Sequence, residues 1–266
     1  MEEAIEKSCR ELIARLKRGN YFRAVLPALE KKVRDLEKEG EPCAWKKVLS
    51  HLHDVLREAE SGAEGVIRQR IADGKIHDAS QARKSVAGNL FQQMVAYVLA
   101  KNVLEGFIRV PVTVVQNGEE KNRLLNRYAA IHVGDEVQKP DCDVLVYCPS
   151  KGESPILNFS CKTSCRERAG QTYKWKILSD LAASPCIYRE GNPACPATKY
   201  QLSYERERPV LTCFITADLY GEIAQPQIRG MFGFFDKSYL AKPSSDNPLV
   251  STLDTVVDDI NAFFEE

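Results

Sequence analysis

The stretch PDCDVLVYCPSKGESPILNFSCKTSCRER, Pro140 to Arg168, decides how the chain reads. Two runs within it, residues 143–148 and 155–161, are rich in β-branched and aromatic side chains and predict strands. The turn-forming SKGES between them is short, so they predict an antiparallel hairpin. Asp141 and Asp143 stand at the mouth of the first strand, and Lys162 follows the second. An ordinary hairpin with solvated, charged ends satisfies this pattern. So does a phosphodiesterase site: magnesium prefers carboxylate oxygens in a shell shared with water and phosphate, and an ammonium beside it orients water or stabilises charge on the phosphate. Beyond Lys162 the chain emerges from the apolar run ILNFSC into the charged segment KTSCRER. Arginine grips guanine O6 and N7 bidentately and glutamate accepts from the cytosine amino group, so Arg166, Glu167 and Arg168 form a set suited to reading DNA. A solvated helix start with internal ion pairing is the competing reading.

Working outward, the first hundred residues predict helices. Ile5, Leu12, Ile13 and Leu16 share one helical face, closed by Gly19-Asn20, and Val25, Leu26, Leu29, Val33 and Leu36 form a second stripe ending at Gly40. Trp45, Val48, Leu49, Leu52, Val55 and Leu56 predict a third helix, and Val66, Ile67 and Ile71 a fourth, stopped at Asp73-Gly74. A longer helix runs from a Ser80 cap to about Leu104, with Arg83 and Lys84 in its first turns. Residues 107–115, 209–216 and 228–235 predict further strands. A helix over about 170–183 makes a crossover between the strands at 155–161 and 209–216, and a last helix follows a Ser251 cap. Residues 188–209 are a long, weakly patterned connection, a form that binding loops and oligomer contacts take. The organisation expected is a helical N-terminal region, residues 1–75, and an α/β domain, residues 76–266.

Bulk composition narrows the classes. With 266 residues, 44% hydrophobic and 28% charged, the chain has the make-up of a folded globular protein with a sizeable core. No apolar stretch approaches a membrane span, and the charged, amphipathic start lacks a signal-peptide core, so a cytoplasmic location and no membrane partner are expected. Nine cysteines are scattered without a CxxC pair, and Cys142, Cys148, Cys161 and Cys213 lie in strand-like runs, where cysteine behaves as a small hydrophobe. Thirty-seven basic residues balance 37 acidic ones; any attraction for nucleic acid must therefore be local. From Lys162 to Lys176 it is local: Lys162, Arg166, Arg168, Lys174 and Lys176 stand against Glu167. His51 and His53 point to different faces of a helix, His77 and His132 are isolated, and GxSxG, P-loop and GxGxxG motifs are missing.

The segments KPDCDVLVY and NFSCKTSCRER resemble the PD-(D/E)XK nucleases, specifically the type II restriction endonucleases that read CCGG-like cores (the BsaWI/AgeI-like group). The resemblance covers about residues 80–185. It implies a mixed central sheet flanked by helices, Mg²⁺ as cofactor, and double-stranded DNA as substrate, cut to leave 5′-phosphate and 3′-hydroxyl ends. Asp141 matches the metal-binding Pro-Asp, with Asp143 a competitor or companion for that role. Lys162 matches the catalytic lysine, and Arg166, Glu167 and Arg168 the base readers. Residues 81–93 resemble the long helix that such enzymes lay beside DNA, which implies backbone contacts by Arg83 and Lys84, with Lys174 a further one. Ser160 stands two before the lysine where an acid is usual, Trp175 thirteen after it, and Gln92 and Gln93 follow Phe91 where an acid is expected. Cutting both strands of a palindrome implies a homodimer or larger homo-oligomer, and a restriction role implies a cognate methyltransferase in the same bacterial or archaeal cell. Two rivals stay open at this point: a catalytically silent domain of this fold that reads DNA, and a structure-specific junction or repair nuclease.

Overall fold

The computed structural model describes residues 2–75, 77–152, 155–165, 167–183, 195–203 and 210–265. Helices α1 (Glu2–Arg18), α2 (Asn20–Lys38), α3 (Ala44–Lys47), α4 (Leu52–Glu58), α5 (Glu60–Ala72) and α6 (Ala79–Leu104) come first. Then follow β1 (Thr113–Val115), α7 (Glu119–Tyr128), the pair β2 (Ile131–Val133) and β3 (Glu136–Gln138), β4 (Val144–Tyr147) and β5 (Ile156–Lys162). The remainder is α8 (Glu167–Ala183), α9 (Pro196–Lys199), β6 (Leu202–Ser203), β7 (Val210–Thr216), α10 (Pro226–Arg229), β8 (Lys237–Leu240), β9 (Ser251–Thr252) and α11 (Val256–Glu265).

Among the described residues, six strands form the main sheet in the order β1-β4-β5-β7-β8-β9, and β3-β2-β6 form a second, small one. β4 and β5 pair antiparallel, with Val144 opposite Phe159. β5 and β7 pair parallel through Ile156↔Val210 to Lys162↔Thr216, with α8 in the connection. The fold is therefore the α/β class expected, a mixed sheet flanked by helices. β5 is buried along its whole length, as a central strand covered on both faces must be.

One hydrophobic cluster joins the N-terminal helices to the sheet. Leu12 of α1, Leu29 of α2, Leu52 of α4 and Phe91 of α6 share it with Leu157 and Phe159 of β5 and Ile260 of α11. Polar links reinforce the junction: Lys46 Nζ bonds Asp258 at 2.7 Å, and Lys47 Nζ bonds Asp254 at 2.9 Å. The helix α6 is apolar nearly all round where it crosses the sheet, with Phe91, Met94, Val95 and Val98 wholly buried. Among the described residues, no helix is long and apolar enough to cross a membrane.

Several local expectations are corrected. The third helical stripe is broken by a 3-10 turn over Val48–His51; Val48, Leu49, Leu52, Val55 and Leu56 are buried as expected and Trp45 is half-buried. Asp78, not Ser80, caps α6, its carboxylate accepting from the Gln81 amide. Of residues 107–115 only Thr113–Val115 are a strand; Pro111 has no amide hydrogen to extend the ladder. Residues 228–234 are helical turns and Phe235 leaves them extended, with Phe232 and Phe235 buried and Phe234 exposed. The strand lies just beyond, at β8. Ser251 belongs to β9, and the last helix begins at Val256. α7 and the β2–β3 pair were not anticipated, because α7 buries only Leu124, Leu125 and Tyr128 among charged neighbours and β3 is fully exposed.

Candidate active site

Alternation along β5 sends Leu157, Phe159 and Cys161 into the core beneath α6 and turns Asn158, Ser160 and Lys162 to the opposite face. The β4–β5 register, continued by the bond from the Asp143 amide to the Phe159 carbonyl at 3.0 Å, carries Asp141 across from Lys162. The hairpin thus delivers two carboxylates and an ammonium to one point. Lys162 Nζ lies 2.6 Å from Asp141 Oδ2 and 2.8 Å from Asp143 Oδ2. They open onto a cleft of about 510 Å³, also lined by Gln92, Lys139, Pro140, Gln171 and Trp175.

The three charged groups differ in environment. Asp143 and Lys162 are buried, at 8% and 6% exposure, whereas the Asp141 side chain is about a third exposed. Asp143 accepts from the Cys161 amide at 2.7 Å and from Gln92 Nε2 at 2.5 Å. Burial pushes the Asp143 carboxyl above its ordinary value; the Lys162 charge opposes this and the Asp141 charge adds to it. Burial also disfavours the Lys162 ammonium, but Asp143 and Asp141 outweigh it and hold the lysine above its ordinary value. Lys162 is therefore a protonated, buried cation at neutral pH. The acidic segment is held from outside: Lys121 of α7 donates to the Cys142 carbonyl at 2.9 Å, and Asn158 Nδ2 to the Asp141 carbonyl at 3.4 Å.

The donor set suits a hard divalent cation. Two carboxylates and two carboxamides line the cleft, with neither thiol nor imidazole among the lining residues, and oxygen donors of this kind match Mg²⁺. The lysine ammonium between the carboxylates already shows that the site accommodates positive charge. Ser160 does not add an acid; its hydroxyl bonds Thr172 Oγ1 at 3.0 Å.

The other expected site residues divide. Arg166 lies outside the described residues. Glu167 and Arg168 open α8, and their side chains lie outside the described residues as well. Lys84 and Lys174 are exposed on α6 and α8. Arg83 forks onto Glu64 through 2.8 and 2.7 Å bonds, which hold the glutamate well down, at about 2. His53 is structural: its Nδ1 lies 2.7 Å from the Ala217 carbonyl. Cys142, Cys148, Cys161 and Cys213 are buried, as expected.

Sequence reading passed over Gln92 as a bonding partner of Asp143, and over Lys139 and Gln171 as cleft walls. The polar pair Gln92-Gln93 inside an apolar helix was the available signal for the first. Lys139 and Gln171 carry none.

Comparison with known proteins places the chain in a family. A protein of Methanocaldococcus jannaschii, described as "Putative type II restriction enzyme MjaVIP", is 25% identical over 142 residues, 48% of this chain. The match spans 62% of that relative's length. The sequence profile of the family described as BsaWI restriction endonuclease type 2 matches residues 119–264, from α7 through α11 and so across the whole hairpin and its carboxylates. More than half of the chain is covered, and the chain belongs to the BsaWI type 2 restriction endonuclease family.

Proposed function

We propose that this protein is a Mg²⁺-dependent, site-specific DNA endonuclease that cuts double-stranded DNA at a short palindrome with a CCGG-like core. The observation that carries this reading is the placement of Lys162 within bonding distance of both Asp141 and Asp143, in a cleft that the chain leaves directly toward α8. Asp141 and Asp143 hold the cation. Mg²⁺, when bound, neutralises the phosphate and polarises its oxygens. Lys162 orients the attacking water and stabilises charge that develops on the phosphate. Water adds to phosphorus and the bond to the 3′ oxygen breaks, leaving 5′-phosphate and 3′-hydroxyl ends. Arg166, Glu167 and Arg168 read G and C edges, and Lys84 and Lys174, with Arg83 if it leaves Glu64, meet the phosphate backbone.

A palindrome cut on both strands calls for two copies of this site, hence a homodimer or larger assembly. The helical region 1–75 is assigned to oligomer or DNA contacts and residues 76–266 to catalysis and recognition. A methyltransferase protecting the same sequence, in the cytoplasm of the same bacterial or archaeal cell, completes the role.

The bonding of Ser160 to Thr172 and a carboxamide at Gln92 favour one alternative, a domain that reads DNA without cutting it. Incubation with several sequenced plasmids, in Mg²⁺ and in EDTA, separates the two. Discrete fragments in Mg²⁺ alone, mapping to one CC/GG-containing sequence and abolished by Lys162→Ala while specific binding survives, support the endonuclease. A site-specific gel shift with no cutting in Mg²⁺ or Mn²⁺ supports the silent reader.

A further inference from the structure

The turn Thr163–Cys165 joins Lys162 to the segment that opens α8, and a second loop grips it. The Ala217 amide donates to the Lys162 carbonyl at 3.0 Å and the Leu219 amide to the Thr163 carbonyl at 3.0 Å. The Cys165 amide donates to Glu222 Oε2 at 2.7 Å. Each β5–β7 continuation bond is of the backbone type, but the third grip comes from a side chain, a carboxylate from a residue that is wholly buried.

Glu222 is itself fixed. Its amide donates to Asp218 Oδ1 at 2.5 Å, and Lys242 Nζ bonds both the Asp218 carboxylate, at 2.9 Å, and its carbonyl, at 2.8 Å. Asp218 takes a φ of +46°, a left-handed conformation that a residue other than glycine keeps only where its surroundings impose it. From below, His53 and Arg57 of α4 hold the same loop through the Ala217 and Leu219 carbonyls, at 2.7 and 3.1 Å. Cys165 Sγ and carboxylate oxygens of Asp218 and Glu222 lie within 4.8 Å of one another, yet this is a clamp rather than a ligand set. Burial pushes the Cys165 thiol up to about 12, so it stays a neutral thiol beside Thr216 Oγ1, and Asp218 is matched by Lys242.

We infer that Glu222 is a positioning residue: by anchoring the Cys165 amide it fixes the turn Thr163–Cys165 that follows Lys162, the turn on which the proposed base readers depend for their placement. The inference rests on the reading of Arg166, Glu167 and Arg168 as base readers. A shift of about 1 Å in a positioned group can cost roughly 100-fold in rate, which makes the reach of the side chain, not its charge, the quantity to vary.

The experiment compares the full-length protein with Glu222→Gln, which keeps the acceptor oxygen at its place, and Glu222→Asp, which withdraws it by about 1.5 Å, one carbon–carbon bond. Circular dichroism establishes that each is folded. Single-turnover cleavage is measured on the cognate duplex and on duplexes with one base pair changed, and amide exchange is followed over residues 163–168. Glu222→Gln is expected to retain the parent's discrimination. Glu222→Asp is expected to lose about tenfold or more of it and to exchange faster over the turn. A folded Glu222→Asp with the parent's discrimination overturns the clamp, as does a Glu222→Gln impaired equally with Glu222→Asp, since charge would then be what matters. A parent that does not discriminate between duplexes at all overturns the base-reading assignment, and the clamp with it, a result recognisable before any variant is made.

Discussion

Gln92 reaches from the middle of α6 to the foot of β4 and donates to Asp143 Oδ1 at 2.5 Å. A helix 51 residues upstream thereby supplies a donor to the most buried carboxylate of the site. Asp143 needs such donors, because a buried ionised carboxylate is costly unless it is paired and bonded.

Removing that donor should weaken the fold without metal. Gln92→Ala is expected to cost about 1.5–3 kcal/mol, the range for a hydrogen bond to a charged group, read as a lower urea midpoint in EDTA. Gln92→Glu should do the reverse with the metal present. A third carboxylate destabilises the empty cleft by like-charge repulsion but adds an oxygen ligand, so calorimetric titration should show tighter Mg²⁺ binding than in the parent. Unchanged or weaker binding would place Gln92 outside the cation's surroundings.

Recognition is tested at Arg166. Loss of one bidentate guanine contact costs about 1–3 kcal/mol, so Arg166→Ala should weaken binding to the cognate duplex by that amount. Binding to random duplex should barely change. Equilibrium titrations of both duplexes at fixed salt measure this; equal losses on the two would make Arg166 a phosphate contact instead.

The junction between the N-terminal and C-terminal ends has a pH signature. Burial alone would raise the Asp254 carboxyl, but bonds from Ser50, Thr252 and Lys47 outweigh it and hold the group below its ordinary value of 3.8. A folded value below the unfolded one contributes stability that is present above 3.8 and is lost as the pH falls through the folded value. Asp254→Asn should therefore be less stable than the parent at pH 7, and the gap should close as the pH drops below about 3.8. Urea midpoints across that range report it, and a gap that does not change with pH would rule out the charge as its source. Asp143, raised by burial, acts with the opposite sign: its contribution is full below the ordinary carboxylate value and is lost as the pH rises through the folded one.

The hairpin was legible in the sequence because the signals for it are local. The short turn predicts β4 and β5 antiparallel and a helix-sized crossover predicts β5 and β7 neighbours in parallel, whereas the face that Lys162 takes emerged from the packing of Leu157, Phe159 and Cys161 into the core. Asp141, Asp143 and Lys162 lie within 22 positions of chain, so strand pairing alone brings them together. The preference for Asp141 as the principal acid had only the preceding proline behind it; the structure makes Asp143 the buried partner and Asp141 the exposed one, a distinction that depends on what packs over each.

Local pattern failed where spacing and partner had to be known together. The aromatic run at 228–235 has strand composition, yet residues 230–234 form a 3-10 turn with Phe234 facing out, and Phe232 and Phe235 pack against Phe214 of β7. Gln92 looked like a missing acid and is a hydrogen-bond donor to one. Glu222 carried no signal at all, since its partner, the Cys165 amide, lies 57 residues away. Hydrophobic periodicity says which side of an element is covered and local turn chemistry says which neighbour it meets first. Only tertiary packing decides which polar atom, brought in from a distant segment, stands against a buried carboxylate or amide, because that choice is made by the unmet bonding of the buried group and not by any property of the residue that meets it.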